Sequence, residues 1–139
     1  MKPRILVIED NPLNLELVTD LLEASGHVVY QARTAEEGLR LAREALPDVV
    51  LMDLSLPAMD GLAATRALRG DPAIKHLPVV ALTAHAMKGD EEAALRAGCD
   101  GYLAKPIDTR TFATRVAGFM ALAHERRKPQ KPLVKDYEN

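Results

Sequence analysis

The sequence contains one cysteine, Cys99, so no internal disulfide is available, and its place between Gly98 and Asp100 suits a small packing residue better than a nucleophile. No apolar stretch is long enough to span a bilayer. The opening run MKPRILVIED reaches an acidic pair after one short apolar segment, which is not the long apolar core of a secretory signal. With nothing to suggest an oxidising compartment, the chain is expected to be soluble and cytoplasmic, with no membrane contact. Charge of one sign is scarce too. A formal net charge of −2 predicts neither broad nucleic-acid affinity nor an acidic solvating chain, so partner choice is expected to rest on local surfaces. There is no internal repeat. The four histidines, His27, His76, His85 and His124, show no metal-ligand spacing and are assigned no catalytic role.

What is present fits one domain, because 139 residues suffice to bury a core without staples. Short β-branched or leucine-rich runs alternate with longer segments of helical period, the pattern of an α/β fold with a parallel sheet and helices on both faces. Five such units can be counted. Arg4 to Glu9, Val28 to Ala32, Val49 to Met52, Val79 to Leu82 and Gly101 to Ala104 read as strands. Leu15, Val18, Leu21 and Leu22 form one apolar helical stripe, and Leu39, Leu41, Ala42 and Leu46 a second. Gly26 and Pro47 are expected to stop these helices. Gly61 to Leu68, Asp90 to Ala97 and Thr111 to Ala123 supply three more, and Thr34 and Asp108 or Thr109 are candidate N-caps. After His124 the composition changes to ERRKPQKPLVKDYEN. Residues 1–124 are therefore expected to be the domain and 125–139 a basic, proline-containing tail.

In an open parallel sheet the chemistry gathers outside the carboxyl ends of the strands. Strand one ends in Glu9 and Asp10, strand three in Asp53, strand four in Thr83, and strand five in Lys105 and Pro106. Three carboxylates on one rim repel each other unless a cation joins them, and hard oxygen ligands suit an ion such as Mg²⁺. A carboxylate can attack phosphorus to form an acyl phosphate if the phosphoryl charge is neutralised. Lys105 and a metal could supply that neutralisation, and the Thr83 hydroxyl could bond the same oxygens.

The residues that carry this chemistry also carry a resemblance. Through ILVIEDNPLN, LMDLSLPAMDG, ALTAHAM and GYLAKPI, the sequence resembles the receiver domain of two-component response regulators. Through TAHAMKGDEEAALRAGCDGYLAKPI it is similar to the DivK-type single-domain regulators. The resemblance implies the flavodoxin-like strand order 2-1-3-4-5. It implies that Asp53 accepts a phosphoryl group from a histidine kinase or histidine phosphotransfer protein, that Asp10 and Asp53 ligate Mg²⁺ directly, that Glu9 helps through water, and that the Ser55 backbone carbonyl completes the protein ligands. It further implies that Lys105 pairs with the phosphoryl group, that the Lys105–Pro106 peptide is cis, and that Thr83 and Tyr102 form a switch pair read by a downstream protein target. With no output domain recognisable, direct DNA binding is not expected. Ser55 and His85 stand at positions that the family varies.

Each of these residues has an ordinary explanation when taken singly. Asp10 before Asn11 and Pro12 could cap a helix, Asp53 could be a plain strand-end acid, Tyr102 a half-buried strand residue, and Lys105-Pro106 a turn. The functional reading rests on their joint occurrence at successive strand ends. A hydrolase of the haloacid dehalogenase type would need a second acid two residues after the nucleophile, where this chain has Ser55. A flavodoxin-like electron carrier would need a phosphate-cradling loop where this chain has Glu9-Asp10-Asn11-Pro12. A purely structural interaction domain would leave the acid cluster unexplained.

Overall fold

The alternating runs form five parallel strands and five helices. The computed structural model describes residues 2–56, 59–84 and 88–127, without the side chains of Lys88 and of 124–127. In chain order the elements are β1 (Arg4–Ile8), α1 (Pro12–Ala24), β2 (Val28–Ala32), α2 (Ala35–Ala45), β3 (Val49–Asp53), α3 (Gly61–Arg69), β4 (Val79–Thr83), α4 (Lys88–Ala97), β5 (Gly101–Ala104) and α5 (Phe112–Arg127). The sheet runs β2-β1-β3-β4-β5, parallel at every pairing. β3 and β4 are buried along their whole length, because helices cover both faces and leave no polar side to alternate with.

Each face has its own core. Leu6, Ile8, Val50, Met52, Val79 and Ala81 pack with α2, α3 and α4 through Ala35, Ala42, Ala64, Leu68 and Ala94. Ile5, Val7, Val49, Leu51, Val80 and Leu82 pack with α1 and α5 through Leu15, Val18, Leu22, Phe112 and Val116. The chain goes outward from β1 to β2 and then crosses to β3 on the other side of β1. That reversal opens a crevice at the carboxyl ends of β1 and β3, where the acidic residues lie.

Several boundaries differ from the sequence expectation. The Asn11 side chain, not Asp10, caps α1, accepting from the N–H groups of Leu13 at 2.9 Å and Asn14 at 3.1 Å. Asp10 is thereby not committed to capping. Thr34 caps α2 as expected, accepting from Glu37 N–H. Leu46 leaves the apolar stripe: α2 ends at Ala45 and Leu46 is its C-cap in the left-handed region, φ 46°. Helical backbone is disfavoured for the residue before Pro47, which turns this leucine away from the core. The last helix runs on through Arg127, three residues into the expected tail, since Glu125, Arg126 and Arg127 are good helix formers and the first proline comes at 129. Residues 128–139, and with them most of the expected tail, lie outside the described residues.

One side chain joins loops that are distant in sequence. From the last turn of α3 the Arg69 guanidinium donates to Gly98 O at 2.8 and 3.0 Å, Lys75 O at 2.7 Å, Leu77 O at 2.6 Å and the Asp100 carboxylate at 2.9 Å. Asp100 in turn accepts from Val79 N–H at 2.8 Å. In sequence Arg69 looks like an ordinary basic residue at a helix end. Its removal leaves three loop carbonyls and a partly buried carboxylate without their charged donor, so Arg69→Ala is expected to cost about 2–4 kcal/mol in a urea melt. Arg40→Ala, which removes an exposed i,i+4 pair with Glu44, should cost about 0.5 kcal/mol or less.

Candidate functional site

Parallel register brings the acidic residues together. Ile8 pairs with Met52, so one step on, Glu9 comes level with Asp53, and the Glu9 N–H continues the β2 pairing by donating to Ala32 O at 2.9 Å. Alternation along β1 and β3 turns Glu9 and Asp53 to the face that Val7 and Leu51 share. Both acids are about 1% exposed. One oxygen each of Glu9, Asp10 and Asp53 can be chosen within 4.8 Å of one another.

Lys105 completes the cluster from beyond β5. Its backbone N–H donates to Thr83 O at 2.7 Å, and the peptide to Pro106 is cis. Its Nζ donates to Glu9 Oε1 at 2.8 Å and lies 3.4 Å from Asp53 Oδ1. The same Asp53 oxygen accepts from Ser55 N–H at 2.9 Å. Sequence reading assigned Ser55 only a carbonyl; its amide role depends on the turn after β3, for which the side chain gives no signal.

The charges sort themselves physically. Burial, with the adjacent Asp53 carboxylate, pushes Glu9 up to about 7 against the pull of Lys105. Burial also opposes charge on Asp53, but bonds from Glu9, Ser55 N–H and Lys105 outweigh it and hold Asp53 below the usual carboxylate range. Burial opposes the Lys105 charge as well, yet its two carboxylate partners raise it above the ordinary lysine value. Asp53 thus keeps its charge more readily than Glu9, because two buried carboxylates cannot both ionise cheaply. Three clustered acids beside a single ammonium form an oxygen-donor set with charge to spare, which fits a hard divalent cation such as Mg²⁺.

Thr83 ends β4 and is buried. Tyr102 pairs with Ala81 in register; since Thr83 is two residues past Ala81, Thr83 and Tyr102 lie on the same sheet face. Tyr102 packs against the core of that face, and burial followed by the charges of Asp90 and Glu91 on α4 pushes its phenol up. His85 lies outside the described residues. A hollow of about 410 Å³ beside the cluster is bordered by Asn14, Leu17, Ala84, Lys105, Pro106 and Ile107. Cys99 is buried, and burial pushes its thiol up, in keeping with a packing role.

The response regulator receiver domain profile matches residues 5–117, and the chain belongs to that family. Its members act as phosphoacceptors in two-component signalling. Among relatives, the polar-differentiation response regulators DivK of Brucella ovis and Brucella suis are each 43% identical over 120 residues, spanning 86% of this chain and 98% of theirs. Among solved structures, a response regulator from Chloroflexus aurantiacus is 30% identical with a TM-score of 0.82, over 87% of this chain and 99% of its own. The receiver domain of a sensor histidine kinase from Pseudomonas aeruginosa, described with a magnesium ion coordinated in its active-site cleft, is 34% identical with a TM-score of 0.79, over 87% and 99% of the two chains. Among the described residues no helix is long and apolar enough to cross a membrane.

Proposed function

We propose that Asp53 is the phosphoacceptor of a cytoplasmic single-domain regulator, one that receives its phosphoryl group from a histidine kinase or histidine phosphotransfer protein and answers by changing its affinity for a protein target. The observation that carries this reading is the buried Asp53 carboxylate, 3.4 Å from Lys105 Nζ and clustered with Glu9 and Asp10. An Asp53 oxygen attacks the phosphorus of a phosphohistidine. The new O–P bond forms as the N–P bond breaks, and the electron pair returns to the donor imidazole, which takes up a proton. Glu9, Asp10, Asp53 and the Ser55 carbonyl are the residues that would hold Mg²⁺, which supplies charge neutralisation at the phosphoryl oxygens. Lys105 stays charged and bonds those oxygens from the other side. The chain assists its own phosphorylation and is an acceptor, not a turnover enzyme. Incubation with acetyl phosphate and Mg²⁺, followed by intact mass, should show the gain of one phosphoryl group; no gain under conditions that label a related receiver would overturn the reading.

The metal assignment has its own check. Mg²⁺ should raise the melting temperature by relieving repulsion within the acid cluster and by binding only the folded state, and Asp10→Asn should lose most of that rise. Equal shifts in both proteins would remove Asp10 from the ligand set.

Output is assigned to Thr83 and Tyr102, which share a face beside α4. A phosphoryl group at Asp53 draws the Thr83 hydroxyl toward it and gives the Tyr102 ring room to turn, so the surface changes without new chemistry. Coupling of this kind is typically about 1–3 kcal/mol. Thr83→Ala should accept phosphoryl from acetyl phosphate yet lose most of the change in target affinity that beryllofluoride produces in the wild type. Equal gains in both proteins would exclude Thr83 from the route, and tight sequence-specific DNA binding would exclude a protein target.

A further inference from the structure

A hollow of about 690 Å³ lies at the rim opposite the acid cluster. His27, Leu46, Leu77 and Pro78 border it just ahead of β2, β3 and β4, and Ala117 and Met120 form its α5 wall. In an all-parallel sheet this is the amino-terminal rim. Core packing does not account for Leu46 here. The residue is 46% exposed, at the left-handed C-cap where α2 ends before Pro47. Positive charge flanks it. Arg4 donates from its guanidinium to Leu46 O at 2.9 Å, and Lys2 lines the same hollow. The one acid there, Asp48, already accepts the Arg4 backbone N–H at 2.7 Å.

We propose that this groove is the docking site of the chain's own segment 132–138, PLVKDYE, with Pro132, Leu133 and Val134 against the apolar wall and Asp136 and Glu138 toward Lys2 and Arg4. Reach supports the assignment. α5 carries the chain along the groove to Arg127, about 9 Å past Ala121 at helical rise. Five extended residues from Arg127 to Pro132 span up to about 17 Å, enough to turn back over that distance, and Pro129 opposes further helix. Composition supports it as well. Pro132 to Val134 is the one apolar run after α5, and it is followed by two acids, Asp136 and Glu138, opposite in charge to Lys2 and Arg4. The groove and Asp53 are at opposite ends of the sheet, so the docking stands or falls separately from phosphoryl chemistry.

The test compares the full chain with two variants, one in the tail and one in the groove. Leu133→Asp/Val134→Asp puts charge where the apolar contact is proposed. Leu46→Asn removes the rim contact while keeping a residue that tolerates the left-handed conformation, so it should fold. In amide ¹H–¹⁵N spectra the tail variant should move the resonances of Leu46, Leu77 and Met120, and Leu46→Asn should move those of Leu133 and Val134. Each change should speed tryptic cleavage after Lys135, the tail lysine that no proline follows, several-fold. Acetyl phosphate labelling should stay at the wild-type level in both. Groove resonances and cleavage rates unmoved by the tail variant would overturn the proposal. Shifts that appear only as protein concentration rises would overturn it too, by assigning the groove to the tail of a second copy.

Discussion

Asp53→Asn should fold as the wild type does and take up no phosphoryl group. Asn matches Asp in size, and its side-chain oxygen can still accept the Ser55 N–H that Asp53 accepts at 2.9 Å. Lys105 keeps its stronger partner, Glu9, at 2.8 Å, and loss of the Asp53 charge relieves the repulsion that helps push Glu9 up. No buried group is left without a partner, so the melting temperature should stay level or rise slightly. The chemistry is another matter. An amide is a poor nucleophile toward phosphorus, and labelling by acetyl phosphate should fall by about two orders of magnitude or more, equal to at least ~2.7 kcal/mol of barrier. Intact mass and circular dichroism on the same sample separate the two effects. Undiminished labelling of a folded variant would move the acceptor to another residue.

Gly61→Ala should be the most damaging single-methyl change in the chain. A Cβ at Gly61 would lie 2.4 Å from the carbonyl oxygen of Asp53 and 2.6 Å from Cα of Leu54. Both are backbone atoms, so no side chain can turn aside. Either α3 shifts outward or the end of β3 moves, and the second alternative displaces the acceptor itself. Overpacking of this kind costs about 3 kcal/mol, a fall of roughly 10 °C in melting temperature for a domain of this size. Labelling should slow as well, since misplacing a reacting group by about 1 Å can cost a hundredfold. The control is Gly118→Ala. A Cβ at Gly118, inside α5, meets nothing within 4 Å, and the change should stabilise by about 0.5–1 kcal/mol through helix propensity alone. Equal melting temperatures for the two variants would mean that α3 is not seated on the β3 end as described.

The strand runs, the alternation with helices and the residues at each strand end were legible in the sequence because they depend on local periodicity and on order along the chain. Val28–Ala32 and Gly101–Ala104 matched their expected bounds, and the joint placement of Glu9, Asp10, Asp53 and Lys105 follows once the strands are parallel. Contacts between distant segments were not legible. Arg69 gave no sign that it would hold the loops at Lys75, Leu77 and Gly98, since a basic residue ends many helices for reasons of dipole alone. Leu46 read as core by spacing and became an exposed cap, because the proline after it weighs on the backbone while periodicity reports only the side chain. The division between the buried acids was hidden as well. Sequence places three carboxylates and a lysine on one rim, but which acid ionises depends on desolvation and on distances of about 3 Å, set only when β1, β3 and β5 have packed. Composition and pattern thus determined the sheet, its helices and the chemistry available at its rim. Tertiary structure alone decided that Asp53 holds the charge and Glu9 more readily the proton, because burial and close approach belong to the folded chain and to no shorter piece of it.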